Sequence, residues 1–329
     1  SRGLDTLVLE STEWFGGTSA YSGSGLWLPG NPVLARGGVD DPIEGAREYL
    51  RAVVGEETAD LQDAFLESTA PMVTELEQNE FLAFEYRPFP DYFHEAPHYK
   101  PLGRDIFPLN ISHAEAAEVE PLVRRTAPEE RLGAPRPPEL TGGQALIARL
   151  LLACRSTGRC ELRASTPMTS LIVENGAVVG VEATSADGPL RIRARGGVLL
   201  AAGGFERNAE MRARYGVPGE VAWSMGAPGG TGRPIEAGIE IGAAVDLMDQ
   251  AWWSPGLMHP DGSATFTLGL RGGIFVNPDG ERFMNESLPY DRAGREIIEP
   301  DRSGVTHVPF WHVFDDRFGD DVPATATVP

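Results

Sequence analysis

The chain has 329 residues, 41% of them hydrophobic, enough for one large or two medium domains with formed cores. Its formal charge of -20 and isoelectric point near 4.7 argue against nucleic acid or an anionic membrane surface as partner, since both demand a basic face. No apolar run reaches membrane-spanning length and nothing at Ser1 has the pattern of a signal peptide, so a cytoplasmic protein with a neutral or hydrophobic small-molecule partner is expected.

Leu4 to Glu10 is an apolar run of strand length ending in a carboxylate, suited to a buried parallel strand. A small-residue segment follows. Residues 40–54 (DDPIEGAREYLRAVV) and 57–77 (ETADLQDAFLESTAPMVTELE) carry apolar positions at helical spacing, with Pro42 and early acidic residues as start signals. An aromatic, Pro-rich segment then leads through a charged connector to Pro138, so residues 40–138 read as a helical and loop excursion from a sheet. Thr141 to Leu152 returns to an apolar helix. The stretch from Cys160 to Gly204 is the richest in β signals. Asn175-Gly176 and Asp187-Gly188 mark hairpins, and Val198 to Ala202 reads as a short, wholly apolar parallel strand ending in Gly203-Gly204. A helix is expected within GRPIEAGIEIGAAV, a strand at Asp246–Asp249, and further strands around GGIFVN and VPFWHVFDD.

Both ends read as interior to a longer chain: GLDTLVLE starts where a helix-to-strand connection would finish, and ATATVP stops in a Pro/Ala/Thr-rich stretch. Apart from Tyr21, residues 16–25 (GGTSAYSGSG) are all Gly, Ser, Thr or Ala, which lets backbone amides approach a phosphate or a flat ring. A flexible glycine loop is the ordinary alternative, but Trp14-Phe15 and Leu26-Trp27-Leu28 bracket this run as they would not bracket a linker. In dinucleotide-binding folds, a strand-end carboxylate such as Glu10 follows a G-x-G-x-x-G loop by about 20 residues. No such loop occurs in the sequence, and GAPGGTG from Gly226 lacks the preceding strand. Cys154 and Cys160, in CRSTGRC, lack the spacing of a redox or zinc motif and read as two unpaired thiols around a turn. His94 and His98 are separated by Pro97 and do not share a helical face, and His113, His259, His307 and His312 are scattered, so no metal site is expected.

The segments VLESTEWFGGTSAYSGSGLWLPGNP, GGQALIARLL, GVLLAAGGFERNAEMRARYGVPG, DLMDQAWWSPGLMHPDG, GGIFVNPDGERFMNE and LPYDRAGRE resemble, in order and spacing, the 3-ketosteroid Δ1-dehydrogenases. These belong to the fumarate reductase/succinate dehydrogenase flavoprotein group. The resemblance implies an α/β (α+β overall) architecture: a Rossmann-like FAD-binding domain over residues 1–250, lacking its first βα unit but carrying the excursion and a β-meander, then part of a smaller α+β catalytic domain over 251–329. It also implies FAD as cofactor, a 3-ketosteroid substrate and an electron acceptor that the sequence does not identify. By the same resemblance Glu10 binds the adenosine ribose. Gly16, Gly17, Thr18, Ser19, Ala20, Ser22, Gly23 and Gly25 line the pyrophosphate, ribityl and isoalloxazine positions, while Met168, Ala202 and Gly203 lie at the adenine end.

Tyr290 in LPYDRAGRE matches the family's general base and Tyr92 in PFPDYFHEAP its tyrosine partner. Dehydrogenating a 3-ketosteroid removes a proton from C2, next to the carbonyl, while C1 gives a hydride to flavin N5. Tyrosine starts near pKa 10, so proton abstraction needs a low-dielectric site and a second hydroxyl to stabilise the phenolate. The family's C-terminal segment, with a further tyrosine and a glycine amide for the C3 carbonyl, has no counterpart here, and GGTGRPIEAG departs from the group's Gly-Asp-Gly. Two competing readings stay open. One is a related flavin dehydrogenase, either a Δ4-(5α) steroid enzyme or a fumarate reductase-like enzyme, although a dicarboxylate would need cationic groups that the Trp- and Tyr-rich segments lack. The other is an inactive fragment without cofactor.

Overall fold

The computed structural model describes residues 3–258, 262–266, 273–302, 304 and 307–314; His259 lies outside them. Two compact units are distinguished. The first comprises the described residues of Ser1–Glu130, Pro135–Met168 and Ala183–Leu190, and the second those of Arg131–Ala134, Thr169–Glu182 and Arg191–Pro329.

In the first unit, strand β1 (Thr6–Leu9) leads to the short helix α1 (Gly17–Tyr21), strand β2 (Leu26–Trp27) and helix α2 (Pro32–Arg36). Asn31 caps α2 by accepting from the Val33 and Leu34 amides, and Pro32 supplies a preset φ in the first turn. Helices α3 (Ile43–Val54) and α4 (Ala59–Leu76) pack as a pair, followed by strands β3 (Phe84–Tyr86) and β4 (Asp105–Pro108). Then come α5 (His113–Ala116), closed by a Ser112/Glu115 capping box, α6 (Ala127–Leu132), α7 (Gly142–Ser156) and β5 (Cys160–Arg163). β1 and β5 pair in parallel with Thr6 opposite Cys160 and Leu9 opposite Arg163. β2 and β3 flank β4 in a small antiparallel sheet. One face of α7 is buried with Phe15, Ile111 and Val123, while Leu28, Leu34, Val73 and Ile106 form a second cluster.

The strands β6 (Met168–Glu174), β7 (Ala177–Ser185) and β8 (Gly188–Arg193) form the meander. Its first turn has positive φ at both Asn175 (53°) and Gly176 (78°), the requirement of a type I′ hairpin that the Asn-Gly pair meets.

In the second unit, α8 (Ala209–Tyr215) is capped by Asn208 and ended by Gly216 at φ 70°, and α9 (Arg233–Glu240) follows Gly232 at φ 76°. β9 (Gly256–Met258) and β10 (Ala264–Phe266) form one antiparallel pair, β11 (Ile274–Val276) and β12 (Trp311–Val313) another, with α10 (Tyr290–Arg302) between β11 and β12 in the chain. Phe275, Met284, Ala293 and Ile297 make this unit's core.

Two expected strands are absent. Val198–Ala202 is irregular, with Leu199 89% exposed, because a strand exists only through a ladder and no described residue pairs with this run. Asp246–Asp249 is also irregular, and Leu247 takes a positive φ of 52° that a strand does not accommodate.

Candidate functional site

Glu10 stands directly after β1, and its backbone extends the parallel ladder: its N–H donates to Arg163 O (2.8 Å) and its carbonyl accepts from the Thr166 N–H (2.8 Å). The carboxylate turns back on its own chain. Its Oε1 accepts from the Thr12 N–H (2.7 Å), with the Thr12 and Ser11 hydroxyls at 2.8 and 3.2 Å. Thr12 Oγ1 in turn accepts from Arg124 Nη2 (2.6 Å). Arg124, 2% exposed, holds both Glu130 oxygens at 2.8 and 3.0 Å and lies over the rings of Trp14 and Tyr21. Burial first, and hydrogen bonding to Glu130 second, raise the Tyr21 phenol above its ordinary pKa. This buried arginine fixes the turn between Glu10 and the glycine run. Sequence reasoning missed it, because nothing in LVRRT distinguishes Arg124 from Arg125, which is exposed.

The glycine run is shaped by α7. Gly16, at φ 110°, starts α1, and a Cβ there would meet Ile147 Cγ1 at 2.8 Å. From the α7 side, a Cβ on Gly143 would overlap Ser19 O, and the Gly143 N–H donates to Ser22 O at 2.9 Å. Ala20 is buried in this contact, whereas Thr18, Ser19, Ser22, Gly23 and Gly25 are exposed. Open space stands where Cβ atoms of Gly17 and Gly23 would project. Beneath Gly25, Asp105 at the start of β4 has its carboxylate Oδ1 3.1 Å from where a Cβ of residue 25 would stand. Burial, then the charge of Asp91, pushes the Asp105 pKa up to about 6. A side-chain-poor, exposed run beside a strand-end carboxylate fits the diphosphate and ribose of a dinucleotide cofactor.

Met168 opens β6, two residues after Thr166, whose N–H bonds to Glu10, so the first unit brings the Met168 segment and Glu10 onto one strand end. Ala202 and Gly203 belong to the second unit, where both are exposed and Gly203 has φ 74°. Nearby in that unit, Arg207 donates to the carbonyls of Val221, Ser224 and Gly226, which holds the glycine-rich segment after Trp223 in place.

Tyr92, also in the first unit, is partly buried on a loop secured on either side of it. Asp91 accepts from Trp27 Nε1 (2.8 Å) and the Lys100 N–H (2.9 Å) and pairs with Arg104, while the Phe93 N–H donates to Tyr49 Oη (3.1 Å). Arg104 is fully buried; it also reaches Asp41 at 2.8 Å and His98 O at 2.7 Å. The Phe89 ring lies 6.0 Å from Tyr92, tilted at 58°. Tyr290, in the second unit, is the first residue of α10. Trp252 stacks on it at 6.1 Å and 18°, and Phe266 meets it at 5.0 Å and 85°. The two tyrosines thus lie in different units.

A cavity of about 350 Å³ lined by Trp14, Val123, Arg125, Leu140 and Gln144, among others, includes none of the sequence-predicted site residues. Among the described residues no group of three or more His, Cys, Asp or Glu is arranged to hold a metal, and no helix is long and apolar enough to cross a membrane.

The family described as FAD binding domain matches residues 1–325. A 3-oxosteroid 1-dehydrogenase of Rhodococcus opacus is 38% identical over 333 residues, covering 99% of this chain and 64% of that protein. One from Mycobacterium tuberculosis is 37% identical over 371 residues, covering 97% and 65%. Among solved structures, a 3-ketosteroid Δ1-dehydrogenase of Sterolibacterium denitrificans in complex with 1,4-androstadiene-3,17-dione superposes with a TM-score of 0.86 at 32% identity, over 98% of this chain and 66% of that one. The chain spans just under two-thirds of the length of these relatives. By its sequence and its mixed helix and sheet architecture, the chain belongs to the FAD binding domain family, whose cofactor is FAD.

Proposed function

We propose that this chain is part of a flavoenzyme that dehydrogenates 3-ketosteroids between C1 and C2. The observation that carries the reading is the likeness, over nearly the whole chain, to a 3-ketosteroid Δ1-dehydrogenase solved with a steroid dienone. The site chemistry supports it. Tyr290 is in ring contact with Trp252 and Phe266, an aromatic setting suited to an apolar fused-ring substrate. In this reading residues 1–250 carry the cofactor and 251–329 contribute to the substrate side. Glu10, Gly16, Gly17, Thr18, Ser19, Ala20, Ser22, Gly23 and Gly25 hold FAD, with Met168, Ala202 and Gly203 at its adenine end. When bound, the flavin supplies the two-electron acceptor for the C1 hydride. Tyr290, acting as the phenolate, takes the C2 proton and becomes the neutral phenol, with Tyr92 as its tyrosine partner. Continued turnover would need an external electron acceptor, in a cytoplasmic setting.

The test has two steps. Titrating the protein with FAD should give a bound flavin with a shifted visible band; an unshifted spectrum overturns cofactor binding. Turnover of 4-androstene-3,17-dione with an artificial acceptor should then yield the 1,4-diene and be lost in Tyr290→Phe. Turnover preserved in that variant removes Tyr290 as base, and a different product points to Δ4-(5α) chemistry.

A further inference from the structure

A phenolate accepts a proton at oxygen lone pairs that lie in the ring plane, so the orientation of that plane sets the direction from which the proton can arrive. The terminal torsion of a tyrosine is broad, with no sharp minimum of its own, so packing must fix that plane. At Tyr290 the packing is explicit. The Trp252 indole lies nearly parallel to one face of the ring (18°, 6.1 Å), and Phe266 stands almost perpendicular to it (85°, 5.0 Å). Trp252 is itself 73% exposed, so the core does not hold it. Its segment is held by the residue that follows Tyr290. The Trp253 N–H donates to Asp291 Oδ1 (3.0 Å), Asp291 pairs with Arg295 (2.9 Å), and Arg295 donates to Gln250 Oε1 (3.1 Å). The α10 backbone comes so close at Gly294 that a Cβ there would meet Trp253 Cβ at 2.5 Å and Ser254 N at 2.8 Å. Residues 250–254 are therefore fixed along the first turns of the helix that presents Tyr290, and the exposed indole lies nearly parallel to its ring, offset, with centroids 6.1 Å apart.

We propose that Trp252 is a positioning residue for Tyr290. Its indole, stacked nearly parallel and offset against the ring, holds the ring plane in the orientation that accepts the C2 proton, an inference that rests on the reading of Tyr290 as base. Trp252 needs no contact with the reacting atoms to do this.

The test is made on the flavin-loaded holoenzyme with 4-androstene-3,17-dione and an artificial acceptor. Trp252→Ala should lower kcat by about tenfold or more, as misplacement of a reacting group does, with KM changing less than about twofold. The kinetic isotope effect from deuterium at C2 should rise as proton abstraction becomes more rate-limiting. Trp252→Phe, which keeps a ring able to stack, should recover most of the lost kcat. Unchanged kcat and isotope effect in Trp252→Ala, or a rise in KM alone, overturns the proposal. Tyr290→Phe run in parallel separates the two failures. Turnover lost in Tyr290→Phe but intact in Trp252→Ala leaves the base assignment standing and removes the positioning role, whereas turnover intact in Tyr290→Phe removes both.

Discussion

The Asp105 carboxylate lies directly beneath the Gly25 backbone, with Oδ1 3.1 Å from where a Cβ at position 25 would be. Asp105 pays for this place in its ionisation: burial, then Asp91, lifts its pKa from the ordinary 3.8 to about 6. The folded state therefore binds a proton more tightly than the unfolded chain. The linked stability is fully present below about pH 4, declines as pH rises to about 6, and is absent above that, a swing on the order of 3 kcal/mol. Asp105→Asn, which has no charge to bury, should raise the melting temperature at pH 8 and leave it nearly unchanged at pH 4. Thermal unfolding at the two pH values decides this, and equal shifts would show that Asp105 does not titrate in this range.

Gly143→Ala places a methyl group into Ser19 O and forces α1 away from α7. Overpacking of this kind costs about 1–3 kcal/mol, and here the element that yields is the glycine run. The variant should unfold at lower urea and bind FAD at least about tenfold more weakly. A flavin titration alongside the unfolding curve checks both; normal affinity would separate the run from the cofactor.

Arg104 pairs with both Asp41 and Asp91 in the interior of the first unit. Removing it leaves the buried Asp91 without its cation and Asp41 with only Lys100, 3.6 Å away, so Arg104→Ala should destabilise by about 3–5 kcal/mol. Arg104→Lys keeps the charge but cannot reach Asp41, Asp91 and His98 O together, and should fall in between. Denaturant midpoints of the three proteins give the order directly, and a midpoint for Arg104→Ala close to the parent's would refute it.

Burial is the leading cause of a Cys154 thiol pKa near 11, with the neighbouring Cys160 adding to it. At pH 8 the reactive thiolate is then scarce at Cys154. Maleimide labelling followed by peptide mass mapping should modify Cys160 first, with Cys154 catching up only in denaturant. Equal rates in the folded protein would contradict this.

Local signals in the sequence translated well into structure. Pro42 before α3, the Asn175-Gly176 turn and the apolar spacing of α3, α4 and α7 each depend on residues within a turn or two of one another, and each appears where expected. Val198–Ala202 failed because its composition states a preference for a ladder without supplying the second strand. Arg104, Arg124 and Asp105 were illegible for a related reason. Their roles arise from partners such as Asp41, 63 positions away, or Thr12, 112 away, and single-sequence periodicity contains no information about such pairs. At the candidate site, the glycine run announced its openness through composition, and the tyrosines became visible only through family resemblance. Gly143, Gly294 and Trp252 became meaningful once the backbones they separate or bring together were in place.

The loop that carries Tyr92 is cinched at its neck. The Phe89 N–H bonds to Leu102 O, the Asp91 N–H bonds to Lys100 O, and a Cβ on Gly103 would overlap Phe89 O. Such a loop behaves as a closed ring whose ordering is settled where its ends meet, so lengthening its far side carries only a slowly growing entropic cost. The exposed tip at His94, Glu95 and Pro97 is therefore a graft point. Peptides spliced there should leave Tyr92 in its seat between two fixed neighbours, making this segment a place where the chain can be lengthened without loosening that residue.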